Sequence, residues 1–167
     1  MPKISIFQRK LADSEIMLLL SQSPFFPDVG LYAKKTWEGF QNPFIILKDD
    51  KFIGVCVVIP LENWLKLGPV IILKEFQGKG YGKRLLSRVV ERYRANNLYI
   101  GSSNKKVGHI VKGLNFRKIS YMGLPGEIKV FLLRQFWERL NLNFIKDAIP
   151  KLFRKSGRYR YFIRPAG

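Results

Sequence analysis

The residues best suited to chemistry form a glycine-rich loop at Phe76–Gly82, with the sequence FQGKGYG. An apolar run typical of a strand precedes the loop, and an amphipathic run typical of a helix follows it. In this arrangement backbone N–H groups converge where the helix begins, and the helix dipole also favours an anion there. Three alternating glycines let the backbone approach a ligand without a Cβ atom in the way, and Lys79 and Lys83 add positive charge. The loop therefore predicts a phosphate-binding site.

The spacing of the loop differs from two common phosphate-binding motifs. A Walker A loop needs Gly, four residues and then Gly-Lys-Ser/Thr, whereas Lys83 is followed by Arg84. A dinucleotide fingerprint needs Gly-x-Gly-x-x-Gly, which alternating glycines do not provide. The pattern present is Gln-x-x-Gly-x-Gly, at Gln77, Gly80 and Gly82. An ordinary strand-to-helix turn is the alternative interpretation.

The segment Gln77–Gly82 resembles the acetyl-CoA loop of the GNAT superfamily of N-acetyltransferases. The resemblance extends over about Lys3–Arg134, where the predicted elements follow the order of that fold: strand, two helices, three antiparallel strands, helix, strand, helix and two strands. A second segment agrees, because Asn104 stands where many members begin a later helix with Asn. Leu114–Phe116 resembles the Leu-Gly-Phe end of that helix, with Asn115 in place of Gly. Asn tolerates a left-handed backbone, so this replacement is mild.

The resemblance implies that the protein binds acetyl-CoA, or another short acyl-CoA, and transfers the acyl group to an amine. The backbone N–H of Ile72 is implied to meet the thioester carbonyl, where it would stabilise an oxyanion. Asn104 is implied to contact the pantetheine arm, with a plain helix cap as the alternative. The other implied cofactor contacts are Val70, Ile71, Ile72, Gln77, Gly78, Lys79, Gly80, Tyr81, Gly82 and Lys83.

Acyl transfer to an amine also needs proton transfer, because a lysine-like ammonium has a pKa near 10.4 and an acid assists the leaving thiolate. The tyrosine position of the family falls on Val111, and the glutamate that some relatives use as a base falls on Tyr99. Tyr99, His109 and Glu62 are therefore the catalytic candidates. The alternative, non-catalytic interpretations are a packed aromatic for Tyr99, an exposed helix residue for His109 and a solvated loop charge for Glu62. Tyr121 is a further candidate without positional support, and orientation of the reactants alone contributes to the rate.

The charge of the chain points to an anionic partner. Thirty Lys and Arg against twelve Asp and Glu give a net charge of +18. Such a field attracts polyanions and argues against a free polycation as the acceptor. Near the C-terminus basic residues alternate with aromatics, which suits RNA or an acidic protein. An anionic membrane surface is less favoured, and an ordinary edge strand is the alternative. The predicted contacts are Arg154, Lys155, Arg158, Arg160 and Arg164.

Hydrophobic periodicity predicts the elements that position these residues. Predicted strands are Lys3–Phe7, Phe44–Leu47, Phe52–Pro60, Trp64–Leu73, Leu98–Gly101, Phe116–Tyr121 and Ile128–Arg134. Predicted helices begin at Asp13, as a cap, and after Gly82, with others at Val29–Phe40 and Asn104–Gly113. Asp49 and Asp50 mark a turn between two strands.

These elements indicate an α/β (α+β) fold with a mixed, mostly antiparallel central sheet flanked by helices, and a basic C-terminal appendage. The predicted division is an acyl-CoA-binding domain at 1–134 and a basic aromatic extension at 135–167 that packs on or extends the same domain.

Composition limits the class of protein. A chain of 167 residues that is 47% hydrophobic and 14% aromatic is typical of one globular domain. No apolar run reaches the length of a membrane span, and the N-terminus has no signal-peptide pattern. The single cysteine, Cys56, excludes an internal disulfide, favours a cytoplasmic location and is interpreted as a small buried hydrophobe. No cluster has metal-ligand spacing, so no metal is expected.

The sequence therefore predicts an N-acetyltransferase that moves an acetyl group from acetyl-CoA to a primary amine linked to a polyanion. Aminoacyl-tRNA is the preferred acceptor, and a nucleic-acid-associated protein is the next. The alternative is a non-catalytic module that binds acyl-CoA or nucleic acid. Valine at position 111 favours the module, and the intact loop favours the enzyme.

Overall fold

The structure is a computed structural model that describes residues 2–26, 32–139 and 159–167. The strands are β1 (Ile4–Gln8), β2 (Phe44–Lys48), β3 (Lys51–Pro60), β4 (Trp64–Ile72), β5 (Asn97–Ser102), β6 (Arg117–Ile119) and β7 (Arg160–Arg164). The helices are α1 (Asp13–Ser21), α2 (Lys34–Gly39), α3 (Tyr81–Arg92), α4 (Lys105–Lys112) and α5 (Gly126–Arg139). Short 3₁₀ turns lie at Ser23–Phe25 and Lys74–Phe76.

The strands form a seven-stranded sheet in the order β1-β2-β3-β4-β5-β7-β6. Pairing is antiparallel for β1 with β2, β2 with β3, β5 with β7 and β6 with β7, and parallel for β4 with β5. The predicted mixed, mostly antiparallel sheet flanked by helices is therefore confirmed.

The described residues divide into two compact units. The first draws on 2–26, 32–59, 67–95 and 167, and the second on 60–66, 96–139 and 159–166. The division after Arg134 that the sequence predicts stays a prediction, and α5 runs through that point of the chain.

The first unit is built around an apolar cluster under α1, α2 and the strands β2, β3 and β4. Its buried members include Ile16, Trp37, Val55 and Ile71. Helix α3 buries one face through Leu85, Leu86, Val89 and Val90, as the spacing of these residues predicts.

In the second unit β7 lies between β5 and β6, and helices pack on both faces of these strands. On one face Tyr99 and Ile163 contact Leu124 and Ile128. On the other face Phe162 lies so close to α4 that a Cβ atom at Gly108 would be 3.1 Å from its Cζ.

Three sequence predictions need correction. The segment Ile128–Arg134 is not a strand, because it lies inside α5, where Ile128 and Lys129 donate backbone hydrogen bonds to the carbonyl of Pro125. Asp13 is not the cap of α1. The cap is Ala12, whose N–H donates to the Glu15 carboxylate at 2.8 Å, so the stabilising side chain comes from the first turn.

The third correction concerns the basic C-terminal appendage. In the part of this segment that the structure describes, residues 160–164 form a strand within the sheet, with the registers Gly101↔Tyr161 and Ile119↔Tyr161. This strand is paired on both sides, so it is neither an appendage nor an edge strand.

Candidate functional site

The glycine-rich loop of the first unit is held by hydrogen bonds from its own side chains. The Gln77 Nε2 donates to the carbonyl of Ile72 at 2.9 Å, and the Lys79 Nζ donates to the carbonyl of Glu75 at 2.9 Å. The 3₁₀ turn between them is held by Gln22, whose Oε1 accepts from the Lys74 N–H at 3.0 Å. These contacts fix where the chain leaves β4 and where it enters α3.

The backbone of the loop requires glycine at two positions. Gly78 and Gly80 have φ angles of +76° and +83°, in the left-handed region that favours glycine. No heavy atom lies within 4 Å of the Cβ position at either residue. Conformation rather than crowding therefore selects glycine at both positions.

Gly82 differs from these two glycines. It lies in α3, and a Cβ atom there would be in ordinary contact, 3.6 Å from the Ile72 Cγ1. Neither the backbone conformation nor the surrounding protein requires glycine at this position. A glycine here leaves the N-terminal end of α3 open to a ligand.

The N-terminus of helix α3 has the features that favour an anion. Gly80 caps the helix, and the first backbone bond that closes a turn runs from the Arg84 N–H to the Gly80 carbonyl at 3.1 Å. The N–H groups of Tyr81, Gly82 and Lys83 therefore have no partner within the helix. No acidic residue lies in the first turn, so the helix dipole acts without opposition. This end of the helix suits a phosphate or pyrophosphate.

Burial alternates over the last three residues of the strand before the loop. Ile71 is buried in the core, whereas Val70 and Ile72 are half-buried. Beside Ile72 the chain has Gly54, where a Cβ atom would lie 2.6 Å from the Ile72 Cδ1 and 2.5 Å from the carbonyl oxygen of Ile71. Gly54 is therefore needed for the close approach of β3 to β4. Sequence reasoning missed this role because a glycine within a strand does not indicate which neighbouring strand approaches it.

In the second unit Asn104 caps α4. Its Oδ1 accepts from the Lys106 N–H at 2.9 Å, and its own N–H donates to the Ser102 Oγ at 3.1 Å. No described residue accepts a hydrogen bond from the Asn104 side-chain nitrogen. Asn115, which follows α4, has a φ angle of +65°, so the backbone at this Gly position of the family is indeed left-handed.

The proton-transfer candidates have different surroundings. Val111, at the tyrosine position of the family, is fully buried on α4. His109 and Glu62 are exposed to solvent. Tyr99 is fully buried, and no described residue forms a hydrogen bond with its hydroxyl. Burial, with smaller contributions from Tyr159 and Tyr161, raises the pKa of Tyr99 far above its usual value, so this hydroxyl keeps its proton.

Tyr99 belongs to a group of tyrosines around Gly101. A Cβ atom at Gly101 would lie 2.7 Å from the Tyr99 Oη and 2.7 Å from the Tyr159 Oη, so glycine makes room for both hydroxyls. The Tyr159 ring packs against Tyr161 with a centroid distance of 5.3 Å, and Tyr161 in turn lies 6.0 Å from Tyr121. Tyr159 is 45% exposed. Sequence reasoning missed it because its position depends on the pairing of β5 with β7.

The predicted basic contacts are only partly described. Arg154, Lys155 and Arg158 lie outside the described residues. Arg160 and Arg164 lie in β7 and are half-buried. In the register with β5, Arg160 is opposite Ser102 and Arg164 is opposite Leu98.

Among the described residues, no helix is long and apolar enough to cross a membrane. In the same part of the chain no group of three or more His, Cys, Asp and Glu side chains could hold a metal ion. Cys56 is buried in β3, as expected from the apolar run around it.

Three solved structures illustrate the similarity of the fold. N-acetylglutamate synthase from Neisseria gonorrhoeae, complexed with coenzyme A and N-acetyl-glutamate, has a TM-score of 0.69 and 17% identity; the alignment covers 99% of this chain and 35% of that one. The ribosomal-protein-S18-alanine N-acetyltransferase from Escherichia coli has a TM-score of 0.61 and 14% identity, with 100% and 95% covered. A GNAT-family acetyltransferase from Staphylococcus aureus Mu50 has a TM-score of 0.64 and 16% identity, with 99% and 100% covered.

The sequence itself also carries the family pattern. No curated protein sequence matches the chain significantly. The sequence profile of the acetyltransferase (GNAT) family matches residues 15–110, which is more than half of the 167 residues and includes the loop, α3 and the start of α4. The chain therefore belongs to the acetyltransferase (GNAT) family.

Proposed function

We propose that the protein transfers an acetyl group from acetyl-CoA to a primary amine. The observation that carries this proposal is the N-terminus of α3, where Gly80 is left-handed and three N–H groups have no partner within the helix, an arrangement that suits a pyrophosphate. The coenzyme A bound in the N. gonorrhoeae structure supports the same ligand here. Bound acetyl-CoA supplies the activated acetyl thioester.

The chain's own groups bind and orient this cofactor. The N–H groups at the start of α3 bind the pyrophosphate, with Lys79 and Lys83 adding charge. The backbone N–H of Ile72 hydrogen-bonds the thioester carbonyl. The side-chain nitrogen of Asn104, which the cap of α4 leaves without a described acceptor, donates to the pantetheine arm.

The proton-transfer candidates differ in their exposure to solvent. His109 and Glu62 reach solvent and remain candidates for removing the proton from the ammonium. Because the pKa of the buried Tyr99 is raised, Tyr99 is a poor acid. Tyr159 belongs to the same group of tyrosines and its side chain is 45% exposed, so we add it as a candidate acid.

The acceptor is proposed to be an amine linked to an anion. The net charge of +18 favours such an acceptor, with aminoacyl-tRNA first and the amine of a nucleic-acid-associated protein next. The E. coli structure supports the second of these, since that enzyme acts on a ribosomal protein. Glutamate is the small anionic amine to test beside these macromolecular acceptors, because its acetylated form is bound in the N. gonorrhoeae structure.

The test is release of free coenzyme A, followed with a thiol reagent, in the presence of acetyl-CoA and each acceptor. The panel contains aminoacyl-tRNA, the same tRNA uncharged, an N-terminal peptide of a ribosomal protein and glutamate. We expect turnover with aminoacyl-tRNA and none with uncharged tRNA, and mass spectrometry should find one acetyl group on the amine. Failure of every acceptor while acetyl-CoA binds would reject the enzyme.

The second candidate is a non-catalytic module that binds acyl-CoA or nucleic acid. The buried Val111 favours it, because the tyrosine position of the family carries no acid. This candidate predicts that acetyl-CoA or RNA stabilises the protein and that the acceptor panel stays silent. Turnover with any acceptor would exclude it.

A further inference from the structure

We propose that the outer edge of β1, together with the flank of α3, binds an extended acidic peptide segment as an added strand. This surface lies within the first unit, and peptide binding to it does not depend on acetyl transfer. It contains a groove that is lined by Ile4 and Ile6 of β1 and by Arg84, Ser87, Arg88 and Glu91 of α3.

The first support is that no described residue pairs with the outer edge of β1. In the sheet order β1 is terminal, and within the described residues it pairs only with β2. The Lys3 carbonyl accepts from the Asp49 N–H at 2.9 Å and the Arg9 N–H donates to the Pro43 carbonyl at 3.3 Å, so the odd-numbered residues face β2. Since antiparallel bonds alternate, the N–H and C=O groups of Ile4, Ile6 and Gln8 point outward.

The second support is that β1 lacks the devices that usually protect an edge strand. Its sequence, ISIFQ, contains no proline and no charge. Natural edge strands commonly carry lysine, proline or a bulge against pairing with another chain. An unprotected edge with free backbone groups is the geometry used when a peptide adds to a sheet.

The third support is that the groove follows the strand. Ile4 and Ile6 line the groove together with Arg84 and Arg88 of α3. Further along, the Gln8 Nε2 donates to the Tyr93 hydroxyl at 3.3 Å. Strand β1 and helix α3 thus run in the same direction, and α3 lies alongside β1. A peptide in the groove would run beside the helix over the length of the strand.

The charge and its spacing select an acidic peptide. Arg84 is exposed and forms no ion pair with a described residue, whereas the Arg88 Nη1 contacts the Glu91 Oε2 at 3.1 Å. Four helical residues separate the two arginines by about 6 Å. Alternate residues of a strand are separated by about 6.7 Å on one face. Acidic side chains at alternate positions of an added strand would therefore meet both guanidinium groups.

The same charges disfavour a second copy of this chain. Pairing two β1 edges would bring Lys3, Arg84 and Arg88 close to the same residues of the partner molecule, and the chain carries +18 overall. An acidic segment could instead form backbone hydrogen bonds with β1 and ion pairs with the arginines. The structure thus assigns this edge to a partner protein with an acidic, extended segment.

The probe for the test is a ten-residue fluorescein-labelled peptide that alternates glutamate with valine, titrated with the full chain by fluorescence anisotropy. Two control peptides accompany it: one alternates lysine with valine, and one has the same composition with all glutamates in one block. A ten-nucleotide oligouridylate tests nucleic acid on the same surface. We expect binding of the alternating acidic peptide only, weakened by added salt.

Matched variants test the two parts of the surface. The double variant Arg84→Glu/Arg88→Glu should weaken the peptide at least tenfold. Arg92→Glu/Arg94→Glu makes the same charge change outside the groove and should leave the affinity within about threefold, an allowance for long-range charge. Ile6→Pro removes an outward N–H without breaking a bond to β2, and it should weaken binding more than Ile6→Ala, which removes only the side chain.

Circular dichroism verifies that each variant is folded, and the arginine pairs keep the test valid if Ile6→Pro does not fold. Equal binding of the alternating and block peptides, or equal loss in both arginine pairs, would overturn the proposal. Tighter binding of oligouridylate that Arg84→Glu/Arg88→Glu abolishes would assign the groove to nucleic acid instead. Self-association abolished by the same variant would assign it to a second copy.

Discussion

Replacing Gly80 tests the proposed pyrophosphate site most directly. Its φ angle is +83°, and no atom lies within 4 Å of its Cβ position. A side chain at this residue therefore causes no clash and only adds the cost of a left-handed backbone, about 1 kcal/mol. Aspartate and asparagine tolerate this conformation best and have the same shape. The variants Gly80→Asp and Gly80→Asn thus differ in charge alone.

The size of the effect follows from ligand linkage. Acetyl-CoA at about one hundred times its Kd adds about 2.7 kcal/mol of stability to a folded protein. For a chain of 167 residues this corresponds to a rise in Tm of about 5–11 °C. A carboxylate about 4 Å from a phosphate costs about 1–4 kcal/mol, depending on the local dielectric, so most of this rise should vanish in Gly80→Asp.

The assay is thermal melting with and without acetyl-CoA for the wild type and both variants. We expect a rise for the wild type, a smaller rise for Gly80→Asn and almost none for Gly80→Asp, with similar melting of all three without ligand. A folded wild type that does not respond would refute the cofactor site. Equal responses of the two variants would show that charge at the start of α3 does not matter, against the anion site.

Three further predictions concern stability, measured as the free energy of unfolding in denaturant. Burial alone would raise the pKa of Glu15, but hydrogen bonds from Arg9, at 2.6 and 2.7 Å, and from the cap N–H lower it below its ordinary value. The ionised Glu15 side chain therefore stabilises the folded protein fully above about pH 4.3, the pKa in the unfolded chain. This stabilisation is lost as the pH falls through the lower pKa of the folded protein. Glu15→Gln should cost about 1–3 kcal/mol at pH 7 and less at pH 3, whereas an equal loss at both would deny the linkage. Tyr99→Phe removes a buried hydroxyl without a described hydrogen-bond partner, so stability should stay unchanged or rise by up to about 2 kcal/mol, and a clear fall would reveal a partner. Asn115→Ala should cost about 1 kcal/mol because φ is +65°, and Asn115→Gly should be nearly neutral; equal effects would contradict the backbone argument.

The parts of the fold that sequence reasoning predicted correctly are set by local chemistry. Asp49 and Asp50 both have positive φ angles, 48° and 62°, as their turn between β2 and β3 needs. Asn104 caps α4 through its own side chain, and the left-handed Asn115 ends that region. In each case a few neighbouring residues determine the backbone, so the sequence pattern is sufficient.

The errors occur where distant contacts decide the structure. The run from Ile128 is almost continuously apolar, which fits a strand and a helix equally. The choice of a helix follows from packing, since Ile128 and Leu132 lie against Tyr99 and Ile163, which come from two distant strands. Pro125 directly precedes α5, where its carbonyl accepts from the N–H groups of Ile128 and Lys129 and its own missing N–H has no cost.

The placement of β7 has the same physical reason. The alternation in Arg160–Arg164 predicts a strand but carries no information about its neighbours. Its position between β5 and β6 brings Tyr159 to Gly101, and no local pattern contains that contact. The place of the glycine-rich loop between β4 and α3 could therefore be predicted from sequence, whereas the surroundings of the proton-transfer candidates could not.

The two anionic ligands proposed for helix α3 would use different parts of it. Its apolar residues, at three- and four-residue spacing, hold it against the sheet. Its first turn, which carries no acid, presents N–H groups along the helix axis, where a pyrophosphate would bind. Arg84 and Arg88 project from the flank beside β1, perpendicular to that axis. Because the two sites use different parts of the helix, charge reversal at the arginines should spare most of the acetyl-CoA effect on melting, and Gly80→Asp should spare the peptide. If either change abolished both, the two ligands would share a single site at the start of α3.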